Sequence, residues 1–219
     1  MKRAAALRST GATESPGRVL HRLTRAGAAI SILLLVSLAY NWNYLRLGFE
    51  ADDVVFLEIV QQDPLPYPRG LGMWATDEMT AITNLWWFEG QSTTAFFRPV
   101  PSLVFEGMVL ALGERAVPFH LFSILLHGLV AGSIFLLVRR LTGRAHTALL
   151  AGVVFLSFED HSMGVAVITM MTDPLAVLFV NLALLAYAAW LSSRRFWCLI
   201  GSLALLVPAF LSKESAVLA

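Results

Sequence analysis

PFHLFSILLHGLVAGSIFLLVRR, residues 118–140, carries no formal charge from Pro118 to Val138 and then closes on Arg139 and Arg140. About 20 predominantly apolar residues let a helix cross the hydrocarbon core of a bilayer, so this stretch reads as a membrane span with a basic end. Working outward, segments 27–44, 147–167, 174–191 and 196–211 are apolar on a similar scale. They predict an all-α integral membrane protein of about five transmembrane helices. The composition agrees: 57% of residues are hydrophobic, 14% are charged, and the mean hydropathy is +0.69. So few polar groups would not cover the surface of a soluble domain of 219 residues.

Arginines decide which apolar stretches cross. With the five segments above, the basic N-terminus, the group Arg139, Arg140 and Arg144, and the pair Arg194 and Arg195 all fall on one side. Positive charge marks the cytoplasmic side. Counting the apolar stretch 100–112 as a further span would throw both later clusters outside, and Glu106 interrupts it, so it reads as a helix at the outer interface. Of the 15 acidic residues, only Glu14 then lies in the cytoplasm. Acidic residues do little to set orientation, so this sorting points to an external site built from carboxylates.

The chain thus divides into a flexible, basic cytoplasmic tail, 1–26, and a transmembrane domain, 27–219, with a large outer loop over 46–117 that contains interfacial helices. Tryptophans 74, 86 and 87 in that loop suit the headgroup layer. Span 147–167 is the weakest, because Glu159, Asp160 and His161 interrupt it; they predict a polar cavity at its outer end. A net charge of +1 gives no reason to expect nucleic acid, and the single cysteine, Cys198, forms no internal disulfide. The last residues, SKESAVLA, are still apolar enough to predict part of a longer protein.

The outer polar residues fall in a few short stretches. In ADDVVFLEIV, residues 51–60, Asp52 suits a helix N-cap and Asp53 the first turn; alternatively, one is a general base that the other orients, or binds a cation. Two carboxylates this close raise one pKa toward neutrality. In FFRPVPSLVF, residues 96–105, Arg98 either snorkels to headgroups or grips a phosphate with its planar fork. FEDHSMGVAVITMMTDPL, residues 158–175, offers Glu159, His161 and Asp173 as contacts for an acceptor or a metal, without a recognised ligand spacing. His120 and His127 share a helix face, where buried hydrogen-bonding histidines are the plainer expectation. In LLVPAFLSKES, residues 205–215, Lys213 and Glu214 form a local ion pair or face the same cavity as Asp52 and Arg98.

The order of these stretches resembles the N-terminal part of the GT-C superfamily of membrane glycosyltransferases. An acidic pair after the first span is followed by Phe-Arg-Pro and a His-bearing span. A basic turn, Thr-Asp-Pro-Leu and Leu-Ser-Lys-Glu then follow. The nearest branches in pattern are protein O-mannosyltransferase-like and RgtA/B/C/D-like enzymes. The resemblance implies a polyisoprenyl-phosphate-linked sugar donor, transfer of a hexose or pentose with inversion, and a glycan, lipid or protein acceptor on the exoplasmic face. It implies Asp52 as catalytic base with Asp53 adjoining it, Arg98 near the donor phosphate, Asp173 in the second outer turn, and Lys213 with Glu214 in the Ser-Lys-Glu element. Met170 and Met171 stand where relatives often carry an arginine.

The expectation is therefore a multi-pass glycosyltransferase of the plasma (inner) membrane, N-terminus cytoplasmic. Asp52 and Asp53 are catalytic, and Arg98 and Lys213 bind the donor phosphate. Glu159, His161, Asp173 and Glu214 contact the acceptor or a divalent cation, Mg or Mn. The alternatives are a small transporter subunit and a non-catalytic structural membrane protein, whose carboxylates would be helix caps.

Overall fold

Helix α1, Pro16–Asn41, continues into a short 3-10 turn, Trp42–Arg46. The computed structural model describes residues 16–62, 96–158 and 164–218, with side chains from residue 24 onward except at residue 62. Along them follow α2, Asp52–Gln62; α3, Pro99–Leu112; α4, Ala116–Thr142; α5, Ala145–Ser157; α6, Thr172–Ser193; and α7, Phe196–Phe210. Further 3-10 turns span Ile168–Met171 and Glu214–Leu218. No strand occurs among the described residues. Within the basic segment 1–26, residues 16–26 are helical.

Three stretches, Thr24–Arg46, Ala116–Thr142 and Ile168–Ser193, are long and apolar enough to cross a bilayer. The chain is an all-α membrane protein. Of the other two expected spans, 147–167 ends early and 196–211 is found to within one residue, and both helices are short. At 1.5 Å per residue, the 13 residues of α5 and the 15 of α7 extend only about 20–23 Å, against a hydrocarbon core of about 30 Å. The span expected over 147–167 ends as a helix at Ser157, where Phe158 turns to an extended backbone. Polar residues follow directly, and a helix that continued through them would carry them into lipid. Residues 159–163, with the expected polar cavity, lie outside the described residues.

Helix α4 is the hub, packing against α1, α5 and α6, while α7 packs along α6. Small residues permit the close approaches. A methyl group added to Gly128 would stand 2.9 Å from Leu34 Cδ2 and 3.2 Å from the Leu34 Cα. Isolated polar side chains cross the seams: Ser37 donates to the Ile124 carbonyl at 2.8 Å, Asn181 to Ser133 Oγ at 2.9 Å, and Ser202 to the Ala183 carbonyl at 2.9 Å. Interhelical contacts of this sort replace the hydrophobic drive that lipid removes. Large apolar side chains such as Leu150, Phe196, Trp197 and Leu203 stay exposed, as helices facing lipid require.

One apolar cluster fixes the architecture under the candidate site. Phe56, Leu57 and Val60 of α2, Phe105 and Met108 of α3, Phe119 and Leu126 of α4, and Ile168 and Met171 are buried together. Aromatic edges meet faces along it: Phe49 against Phe119 at 5.1 Å, Phe105 against Phe119 at 5.6 Å, and Phe56 against Phe105 at 6.0 Å. Such pairs add to area burial. The short helices α2 and α3 are thereby seated on the bundle end formed by the start of α4 and the turn at 168–171. The opposite end gathers arginine: Arg140, in the last turn of α4, donates to Ser192 Oγ and to the Ala188 carbonyl at the end of α6.

Candidate active site at the acidic end of the bundle

Both aspartates of ADDVVFLEIV lie in the first turn of α2, but their surroundings separate them. Asp53 is fully buried. Its Oδ2 accepts the Ile168 N–H at 3.0 Å and its Oδ1 accepts the Thr169 N–H at 2.8 Å, across more than a hundred residues of chain. Burial pushes its carboxyl above the ordinary range, and the backbone N–H groups of Thr169 and Ile168 pull the other way. Asp52 is half-exposed, with no hydrogen bond or ion pair to another described residue. Ala51, directly before them, has φ +49° in the left-handed region, a conformation disfavoured for a residue with a Cβ.

The basic candidates meet acidic ones. Arg98 is buried at the entry to α3, where Pro99 supplies the fixed φ that suits a helix start. Its guanidinium donates from Nε to Glu214 Oε2 at 3.0 Å and from Nη2 to Glu214 Oε1 at 2.5 Å, and lies 4.4 Å from the Phe96 ring centroid. Lys213 Nζ reaches both oxygens of Asp173 at 2.6 Å. The Val100 N–H donates to the Leu211 carbonyl at 3.2 Å, joining the backbones at the same place. Neighbours in sequence therefore pair outward with different elements, and neither the local Lys213–Glu214 pair nor an N-cap by Asp173 forms. The Arg98 hydrogen bond holds the Glu214 carboxyl below its ordinary range.

The two fork-shaped contacts place Arg98, Asp173, Lys213 and Glu214 in one group at the end of the bundle where Asp53 is anchored. Asp173 follows the anchored residues Ile168 and Thr169 within one short turn and the start of α6. Of the histidines, His120 is fully buried, with Nδ1 3.2 Å from the Val165 carbonyl and Nε2 3.0 Å from the Gly48 carbonyl. His127 lies against Phe155, ring centroids 4.8 Å apart. Glu159 and His161 lie outside the described residues. Among the described residues no three His, Cys, Asp or Glu side chains gather to hold a metal.

This arrangement offers two distinct chemistries: an accessible carboxylate able to take a proton, and cations already shaped around anionic oxygens. Residues 98–219, more than half the chain, match the dolichyl-phosphate-mannose-protein mannosyltransferase family. The chain belongs to that family. The chain is also 30% identical over 123 residues to Protein O-mannosyl-transferase Tmtc1 of Drosophila melanogaster. The match covers 56% of this chain and spans 14% of that relative's length. No solved structure matches. The family region begins at Arg98 and includes Asp173, Lys213 and Glu214, while Asp52 and Asp53 precede it. As a member of the family, the chain is a multi-pass membrane protein.

Sequence reasoning named every member of the charged group but missed its pairing. It expects His120 as a buried hydrogen-bonding residue, as found, but not the backbone carbonyls it meets, nor the backbone N–H groups whose hydrogen bonds the buried Asp53 accepts. Both side chains use backbone groups as partners, and every residue carries such groups, so no residue type advertises them.

Proposed function

We propose that this chain acts in a glycosyltransferase that moves a hexose or pentose from a polyisoprenyl-phosphate donor to an exoplasmic glycan, lipid or protein acceptor. The observation that carries the reading is the fork of Arg98 on the Glu214 carboxylate, beside Lys213 on Asp173, inside the family-matched region. A guanidinium grips phosphate oxygens with the same paired geometry it uses for carboxylate. The donor phosphate would take the place of Glu214 on Arg98, with Lys213 adding charge. Asp52 would accept the proton of the acceptor hydroxyl as that oxygen bonds to the anomeric carbon. The bond from that carbon to the phosphate oxygen breaks, and the electron pair leaves with the polyisoprenyl phosphate, where Arg98 and Lys213 offset the developing charge.

In this reading segment 1–26 is a cytoplasmic tail, 27–219 is the transmembrane domain with its outer loop 46–117, and the site faces the exoplasmic side of the plasma (inner) membrane. Glu159, His161 and Asp173 line the acceptor side. The proposal extends to a divalent cation, Mg or Mn, for which Glu159, His161, Asp173 or Glu214 would supply a ligand beside donor phosphate oxygens, since such ions often take only one or two carboxylates beside substrate phosphate.

The test uses proteoliposomes supplied with radiolabelled polyisoprenyl-phosphate mannose, other polyisoprenyl-phosphate hexoses and pentoses, or the matching nucleotide sugars. Label moving from a lipid-linked sugar alone supports the reading. Transfer from a nucleotide sugar, or none from any lipid-linked sugar by folded protein, overturns it.

A further inference from the structure

Two separate ties join the same two segments of backbone. Asp53 holds the start of α2 to Ile168 and Thr169. A few residues upstream of each, His120 of α4 stands between the carbonyls of Gly48 and Val165, with both ring nitrogens in hydrogen-bond range. Both carbonyls accept, so the neutral ring donates to one of them, according to its tautomer, and packs its other nitrogen against the second; only the imidazolium donates to both. Between these ties lies Ala51 in its left-handed conformation, and the next residue is Asp52, which has no hydrogen bond or ion pair to another described residue. A strained residue persists only where its surroundings fix it on more than one side. Here the surroundings are the ring of His120 upstream and the carboxylate of Asp53 downstream, while Phe49 packs on Phe119 between them.

We propose that His120 is a positioning residue for Asp52: by clamping Gly48 and Val165 it fixes the strained turn that aims the Asp52 carboxylate. The inference rests on the reading of Asp52 as the base, but the clamp itself is a claim about structure and can be tested without activity. The ring touches neither of the two cations, so its loss should leave donor binding intact and impair the chemical step.

Three variants separate the contacts. In His120→Gln the amide nitrogen takes the place of Nε2 and donates to Gly48; in His120→Asn it takes the place of Nδ1 and donates to Val165. His120→Ala removes both. Hydrogen exchange on the full chain in lipid nanodiscs reads the two segments separately. The expected pattern is exchange accelerated roughly fivefold to tenfold over 48–56 and 164–170 in the alanine variant. Acceleration is confined mainly to 164–170 in the glutamine variant and to 48–56 in the asparagine variant. In transfer assays, kcat falls more for asparagine than for glutamine, with KM for the lipid-linked donor within about twofold of the parent protein.

Unchanged exchange in both segments, or acceleration spread evenly over the chain in all three variants, overturns the clamp. A raised KM with unchanged kcat overturns the positioning of Asp52. Absence of transfer by the parent protein would count against the proposed function, while the exchange pattern would still decide the clamp.

Discussion

Replacing Asp53 with asparagine changes a single oxygen to an amide nitrogen at the point where α2 is tied to the turn at 168–171. The amide oxygen still accepts one of the two backbone N–H groups, but the other faces a donor. A buried donor left unsatisfied costs about 1–3 kcal/mol. Removing a carboxylate whose pKa is raised by burial returns part of that, because the charge no longer needs to be desolvated. The net expected loss is about 1–2 kcal/mol, close to a tenfold change in the folded-to-unfolded ratio. Asp53→Ala orphans both N–H groups and should cost about twice as much. Reversible unfolding in mixed detergent–SDS micelles, followed by circular dichroism, measures both.

The pH dependence gives a second reading with a definite sign. A carboxyl raised above its ordinary value of 3.8 favours the folded state most at low pH. That contribution is lost as pH rises through the folded-state pKa. Asp53→Asn should therefore remove the decline in stability that runs from the ordinary value up to the folded-state pKa. If both variants stay within about 0.5 kcal/mol of the parent protein, Asp53 is not the anchor described here, and the division of labour between the paired aspartates fails with it.

Glu214 titrates in the opposite sense. Its pKa is lowered mainly by the Arg98 hydrogen bond, so its contribution is present above the ordinary value of 4.5 and is lost as pH falls through the lower, folded-state pKa. Glu214 is half exposed, which weakens the pair; a small acid-side loss of stability, absent in Glu214→Gln, is the expected titration result. At the helix seam, Gly128→Ala places a methyl 2.9 Å from Leu34 Cδ2 and 3.2 Å from the α1 backbone. An unfolding titration should show a loss of about 1–3 kcal/mol; an unchanged midpoint would contradict the close approach of α1 and α4.

Much of the architecture is legible in the amino-acid order because lipid imposes it. Uncharged runs mark α1, α4 and α6, and the basic turns identify which helix ends share a side. The same reasoning gathers Arg98, Asp173, Lys213 and Glu214 at one end, as found. It does not reveal who pairs with whom. Arg98 meets Glu214 across 116 positions, and that choice depends on the relative heights of α3 and α7, which composition leaves open. Helix α7 matches its expected span to within one residue, while α5 stops about ten residues short of the expected end because Glu159, Asp160 and His161 follow it. Asp53 and Asp52 are identical in type and adjacent; only the fold buries one and leaves the other open.

The central claim is that Asp52 supplies the base while Asp53 supplies the scaffold. It is tested most directly by measuring transfer from labelled polyisoprenyl-phosphate sugar and unfolding stability on the same preparations of Asp52→Asn. The account predicts transfer reduced by at least about a hundredfold with stability within about 0.5 kcal/mol of the parent protein. Transfer at the parent rate by the folded Asp52→Asn protein would contradict it.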